Sequence, residues 1–248
     1  MASSTLMLHR GAVEVPRSEV EVIPAPPPTK TWFPLSHGEV INTVERRLDD
    51  AGFGIAKARY ALSHENHRLF ATLDLESPVA QGVVLAVGIR NSTDQTFPIG
   101  WACGNRVFCC DNLSFSAEMV ISRKHTRFGQ RRFGEALSNA LANLIQFKQL
   151  EERRIRTMQH DELTDDRANS LMLQAFEGDV VTSRLLPKVI SEWRKPSHDE
   201  FQPRTTWSLL NAFTEALKAK LTVPAVHAAL TIKLQGLLCR GDHYQVAV

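Results

Sequence analysis

The chain has 248 residues, 43% of them hydrophobic and 23% charged, and a formal net charge of +2, a composition typical of a globular protein that buries a core. Because the overall charge is near zero, an anionic partner would have to be bound by local clusters of cations. The absence of an apolar run of roughly 18–20 residues and of a secretory signal pattern predicts a cytoplasmic protein with no membrane partner.

The first thirty residues are predicted to form an extended, proline-rich arm. They end in the run 24–28, which contains four prolines, and such runs favour polyproline II and cannot continue a helix or a central strand. A helix is predicted next, because Ser36 is a good N-cap and Glu39 completes a capping box. Gly52 is expected to end this helix.

Five strand-like segments follow the first predicted helix. They are rich in alternating or continuous apolar residues and cover 55–62, 68–75, 83–89, 101–110 and 116–122. Because they succeed one another directly, they predict antiparallel hairpins rather than parallel crossovers. The sequence also has no GxGxxG or P-loop pattern, which argues against a doubly wound nucleotide-binding fold.

The rest of the chain is predicted to be mainly helical. A long helix is expected from about Gly134 to Gln159, further helices at 162–177, 207–221 and 225–238, and connecting loops at 187–204. The predicted fold is α+β: an antiparallel sheet flanked by an N-terminal helix and a long central helix, with a helical C-terminal part. The expected organisation is an arm (1–30), an α+β core domain (31–160) and a helical C-terminal region (161–248).

Positive charge is concentrated between Arg123 and Arg156. This stretch has nine Lys and Arg against three Glu, and its first ten positions contain no acidic residue. A local surplus of this kind favours phosphate binding, because neutralising phosphates releases counterions. Phe128 and Phe133 are interleaved with the cations, and an exposed ring could stack a base. The alternatives are a merely solvated surface for the cations and a core position for the two rings.

Polar side chains follow two of the predicted strands. They are Arg90, Asn91 and Asp94 after one strand, and Asp111 and Asn112 after a later one. They either form local turns by bonding their own backbone or converge on a rim that contacts a nucleic acid. A further alternative is that Asp94 and Asp111, with His125, hold a divalent cation such as Mg or Mn.

Four segments occur in order along the chain: 88–94 (GIRNSTD), 104–115 (GNRVFCCDNLSF), 123–126 (RKHT) and 207–215 (WSLLNAFTE). Together they resemble the phage/plasmid-like protein family titled domain of unknown function 932, over roughly residues 32–220. The resemblance implies an association with mobile genetic elements and carries no established catalytic residues. The order of helix, antiparallel strands and long helix is also similar to the core of phage-type single-strand annealing proteins, which hold single-stranded DNA in a basic groove.

We expect a non-enzymatic protein that binds nucleic acid, in particular single-stranded DNA, and forms homo-oligomers. The residues expected to contact the nucleic acid are Arg90, Asn91, Arg106, Asn112, Arg123, Lys124, His125, Arg131 and Arg132. Two alternatives remain open: a metal-dependent nucleic-acid-processing enzyme centred on Asp94 and Asp111, and a structural protein that assembles with copies of itself. Under the leading hypothesis we assign no catalytic residue, metal or cofactor.

Overall fold

The computed structural model describes residues 11–107, 112–218 and 224–239. Within them, a six-stranded sheet packs against helices, which confirms the predicted α+β class. The strands are β1 (Val13–Val15), β2 (Ile55–Ser63), β3 (Arg68–Ala80), β4 (Val83–Ser92), β5 (Ile99–Val107) and β6 (Asn112–Arg123). They lie side by side in chain order, and every neighbouring pair is antiparallel, as predicted for β2–β6.

The helices lie before β2 and after β6 in the sequence. They are α1 (Arg17–Glu21), α2 (His37–Asp50), α3 (Gly129–Ala142), α4 (Leu144–His160), α5 (Asp165–Glu177), α6 (Leu186–Arg194), α7 (Thr206–Leu217) and α8 (Pro224–Leu238). Ser36 caps α2 as predicted, since its hydroxyl accepts from the Glu39 amide and the Glu39 carboxylate accepts from the Ser36 amide. Among the described helices, none combines the length and apolar character needed to span a bilayer.

The region predicted as an extended arm contains regular structure. Val13 and Val15 of β1 pair with β2, and Val20 of α1 is fully buried. A strand of three residues and a helix of five are too short to show a hydrophobic period in sequence. The proline-rich stretch 23–35 contains neither helix nor strand, and residues 1–10 of the predicted arm lie outside the described residues.

Two helix predictions need correction. The predicted central helix is two helices, α3 and α4, separated at Asn143, which has φ −96° and ψ 0°. Loops are predicted over 187–204, but the first part of this range belongs to α6. Pro187 lies in the first turn of that helix, where its missing N–H removes no intrahelical hydrogen bond.

One face of the sheet forms the main core. It carries large apolar side chains such as Leu73, Val87 and Trp101, which pack into one hydrophobic cluster with the helices. Phe133 of α3 and Phe213 of α7 belong to the same cluster and are fully buried. The region predicted as a core domain and the predicted C-terminal region therefore share a core.

The opposite face of the sheet, which we call the second face, carries smaller side chains and a separate apolar cluster. Phe70 and Phe115 on this face pack with alanines of the sheet and with Ala228 and Ile232 of α8. A Cβ atom on Gly88 would lie only 2.6 Å from the Phe115 ring. The absence of a side chain at this position therefore lets the ring of Phe115 lie close against β4.

Candidate nucleic-acid interface

Five cationic residues cluster at the junction between the end of β6 and the start of α3. They are Arg123, Lys124, Arg127, Arg131 and Arg132, which we call the basic surface, and all five are exposed. The chain turns sharply here, because the Gly129 amide donates to the Thr126 carbonyl at 2.7 Å. The first turn of α3 contains no acidic residue and has no side-chain cap, so the positive end of its helix dipole adds to the field of the cations.

Most of the basic surface is free of neutralising carboxylates. Arg131 lies 3.5 Å from Glu135, but both side chains are largely exposed, and such a pair contributes little. The other four cations form no ion pair with a carboxylate of the described residues. Further along the predicted basic stretch two of the four cations are paired, since Arg154 contacts Glu151 at 2.6 Å and Arg156 contacts Glu152 at 2.7 Å, whereas Lys148 and Arg153 have no carboxylate partner among the described residues. The unpaired positive charge is therefore densest in the first part of the stretch.

The two phenylalanines within the predicted basic stretch have different environments. Phe133 is fully buried in the main core, whereas Phe128 is 51% exposed. The guanidinium carbon of Arg131 lies 5.5 Å from the centre of the Phe128 ring, within cation–π distance. Phe128 is thus an aromatic surface among cations, and Phe133 is a core residue.

His125 is predicted from the sequence to contact nucleic acid, but it is only 5% exposed. Its Nδ1 accepts a hydrogen bond of 3.2 Å from the Leu35 amide, and its carbonyl accepts one of 3.1 Å from the Phe33 amide. Burial lowers the pKa of this imidazole. His125 therefore points inward and attaches the loop of the basic surface to the proline-rich stretch, while Lys124 and Arg127 on either side face solvent.

Asn91 is the second predicted contact residue that does not reach the surface, because it is fully buried. Its Nδ2 donates to the Leu35 carbonyl at 3.1 Å and to Nδ1 of His37 at 3.0 Å. Nε2 of His37 in turn lies 2.9 Å from the carbonyl of Asn66. Leu35, His37, Asn91 and His125 form what we call the anchor network, which joins the proline-rich stretch, β4 and the loop after β6.

Arg106 is the third predicted contact residue that lies in the interior. It is 1% exposed, and its Nε is 2.7 Å from a carboxylate oxygen of the buried Asp74 on β3. The guanidinium of Arg106 is therefore held in an ion pair that reaches from β5 across β4 to β3, and it cannot face a nucleic acid on the surface. Asn112 begins β6 opposite Val107, and its predicted role stays a prediction.

The metal-site alternative finds no support at Asp94. Its carboxylate accepts from Arg68 Nε at 2.7 Å and from the Thr96 amide at 3.1 Å. Burial alone would raise the pKa of Asp94, but the hydrogen bonds from Thr96 and Arg68 outweigh it and lower this pKa to about 2. No group of three His, Cys, Asp or Glu side chains suited to a metal occurs among the residues described, and the predicted partner Asp111 lies outside them.

Arg90 is half-buried on the second face of the sheet. It stands in a row with Gly100 and Ser122 across β4, β5 and β6, one position from the Arg123 end of β6. Its guanidinium lies 5.5 Å from the Phe97 ring centre, and burial lowers its pKa. Arg90 therefore opens onto a different face from the anchor network, although it is adjacent to Asn91 in sequence.

Apart from Asn112, the structure thus divides the predicted contact residues into three groups. Arg123, Lys124, Arg131 and Arg132 lie together on the basic surface, Arg90 lies beside it on the second face, and Asn91, Arg106 and His125 are buried. Sequence reasoning left Arg127 out, although it lies in the same acid-free run. It also missed His37, because nothing in the sequence distinguishes a buried histidine in the first turn of a helix from an exposed one.

Comparison with protein-family models, with curated proteins and with solved structures gave no match. The resemblance to the phage/plasmid-like family therefore stays a prediction.

Proposed function

We propose that this chain is a non-enzymatic nucleic-acid-binding protein that holds single-stranded DNA against the basic surface. The observation that supports the proposal most strongly is the exposed group of five cations around Phe128, four of them without an ion pair to a described carboxylate. An unneutralised cluster in a chain of net charge +2 provides the local field that phosphate binding needs.

The cations and the aromatic ring have different roles in this proposal. Each Lys or Arg that neutralises a phosphate releases counterions, so affinity falls steeply with salt. Phe128 offers a flat face on which an unpaired base stacks, and stacking tolerates every base. Because the bases of a duplex are already stacked on one another, this ring favours single strands over duplex DNA.

The anchor network supports the same surface from below. His125 holds the loop inward through Leu35 and Phe33, so the exposed side chains on either side are presented from a fixed backbone. Because this loop is already fixed, less conformational entropy of the protein is lost when a DNA strand binds. In this account, the buried residues of the predicted motifs are positioning residues, and the exposed ones make the contacts.

The test is a fluorescence-anisotropy titration of a labelled single-stranded oligonucleotide with two charge-reversal variants. One carries Arg123→Glu, Lys124→Glu and Arg132→Glu on the basic surface. The matched control carries Arg184→Glu, Arg194→Glu and Lys195→Glu, which are also exposed and unpaired within the described chain and change the net charge equally. The proposal predicts a loss of affinity of at least about 100-fold in the first variant and a much smaller loss in the control.

Equal losses in the two variants would show that only overall charge matters and would contradict the proposal. No binding by the wild-type chain would also contradict it and would favour the assembly alternative, in which copies of the chain contact one another. Turnover of the oligonucleotide that depends on Mg would favour the enzyme alternative instead. Homo-oligomer formation stays a prediction that light scattering on the same samples tests.

A further inference from the structure

A cleft of about 220 Å³ lies on the second face of the sheet, between β4–β6 and α8. Its walls are largely apolar: Phe70 and Phe115 come from the sheet, and Ala228 and Ile232 come from α8. The glycines of the sheet leave room on this face for two of the lining side chains, because the Phe115 ring lies directly over Gly88 and the Arg90 stem lies directly over Gly100.

Arg90 is the single charged residue among the described residues that line the cleft, and Ser122 supplies the single side-chain hydroxyl there. Arg90 makes no ion pair with a carboxylate in the described part of the chain. Its stem crosses Gly100, where a Cβ would lie 2.7 Å from it. A half-buried guanidinium without a carboxylate beside an apolar space is complementary to an anion, since hydrogen bonds between ions strengthen as water is excluded.

The apolar walls limit which chemical group can be attached to the anionic head of the ligand. A nucleobase has several donors and acceptors on its edge, and burying them against apolar walls without partners is costly. An alkyl or aryl body has none. By scaling from a cavity of about 150 Å³ that holds benzene, the cleft accommodates roughly eight to ten non-hydrogen atoms. A carboxylate leaves most of that space for the apolar body and matches the planar fork of Arg.

We infer that the cleft is a binding site for a small amphipathic carboxylate, whose charged head pairs with Arg90 and whose apolar body lies between the second face and α8. This site is independent of the DNA contacts proposed for the basic surface. It would give the chain a second, small-molecule ligand close to the end of β6 from which the basic surface begins.

Isothermal titration calorimetry of the full chain with sodium octanoate and with 1-octanol tests the inference. Octanoate is expected to bind at least about tenfold more tightly than octanol, because charged hydrogen bonds are worth that factor or more. Arg90→Met keeps an apolar stem of similar length and should remove this preference. Ala229→Trp, at an exposed position on the rim, should abolish binding of both, while Ala142→Trp, exposed at the end of α3, should leave both unchanged.

Equal affinity for octanoate and octanol, or an octanoate affinity unchanged by Arg90→Met, would overturn the inference. If Arg90→Met fails to fold, the contrast between Ala229→Trp and Ala142→Trp decides the matter, because both retain Arg90. Absence of octanoate binding would also overturn it. Tighter binding of thymidine monophosphate than of octanoate, lost in Ala229→Trp, would assign the cleft to a nucleotide and likewise overturn it.

Discussion

Asn91 on β4 donates a hydrogen bond of 3.0 Å to Nδ1 of His37 at the start of α2. The same amide nitrogen donates to the Leu35 carbonyl, so the side-chain amide of Asn91 can take only one of its two flipped orientations. Nδ1 of His37 must then accept, and Nε2 carries the proton directed at the Asn66 carbonyl. This geometry requires a neutral imidazole, because a proton on Nδ1 would face the donor of Asn91.

The stability of the chain should therefore fall in mild acid. Burial lowers the pKa of His37 to about 4 and also lowers that of His125. Because an unfolded histidine has a pKa near 6.5, the unfolded chain binds more protons between about pH 6.5 and 4, and the free energy of unfolding decreases as the pH falls through that window. His37 alone should contribute a loss of about 2 kcal/mol at pH 5, measured by urea denaturation.

A variant separates this effect from general acid denaturation. His37→Gln should be less stable at pH 7 but should lose less stability between pH 7 and 5 than the wild type. His64→Gln, at an exposed turn, is the control for a histidine substitution outside the anchor network. If His37→Gln loses stability with pH as steeply as the wild type, the anchor network is not the pH-sensitive element.

Close packing of Phe115 over Gly88 leads to a second prediction. Gly88→Ala should lower the free energy of unfolding by about 1–3 kcal/mol, because the new Cβ would lie 2.6 Å from a buried ring. Gly134→Ala is the matched control, since a Cβ there meets nothing within 4 Å and alanine is favoured over glycine in a helix. Gly134→Ala should stabilise the chain slightly in thermal melts; destabilisation by both substitutions to the same extent would refute the packing argument.

The two phenylalanines of the basic stretch should respond differently to truncation. Phe128→Ala should weaken binding of single-stranded DNA by about 5- to 150-fold, the range of one stacked base, with little change in stability. Phe133→Ala should destabilise the fold by about 3–5 kcal/mol, because its ring is fully buried in the main core. Anisotropy titrations and denaturation curves on both variants test this. If Phe128→Ala binds single-stranded DNA as tightly as the wild type, the ring does not contact the DNA.

Much of the sheet was predictable from sequence for a simple physical reason. Strands β2–β6 are long, apolar and joined without helices, so their antiparallel order follows from the pattern alone. The capping box at Ser36 likewise identified the start of α2. β1 and α1 were missed because they are too short for periodicity, and their positions depend on the pairing of β1 with β2 and on the burial of Val20.

The candidate site was only partly predictable, because burial is a tertiary property. Nothing in the sequence distinguishes Arg106 from Arg123, but Arg106 forms an ion pair with Asp74 in the interior and Arg123 is exposed. The run 123–132 predicted the position of the basic surface, because its five cations are close together in sequence and therefore also in space. Arg90 and Asn91 are neighbours on β4 whose side chains point to opposite faces of the sheet, and no sequence pattern shows which face meets α8.

The salt dependence of DNA binding tests the central claim most directly. Five phosphate contacts predict a slope of log affinity against log salt of about −3.5 for single strands, and removing three of them should reduce it to about −1.4. The measurement is the affinity of the wild type and of the Arg123→Glu, Lys124→Glu, Arg132→Glu variant for one oligonucleotide between about 50 and 200 mM salt. A slope that decreases by about 2 in the variant is the predicted result. A slope unchanged by the three substitutions would place the phosphate contacts elsewhere and contradict the account.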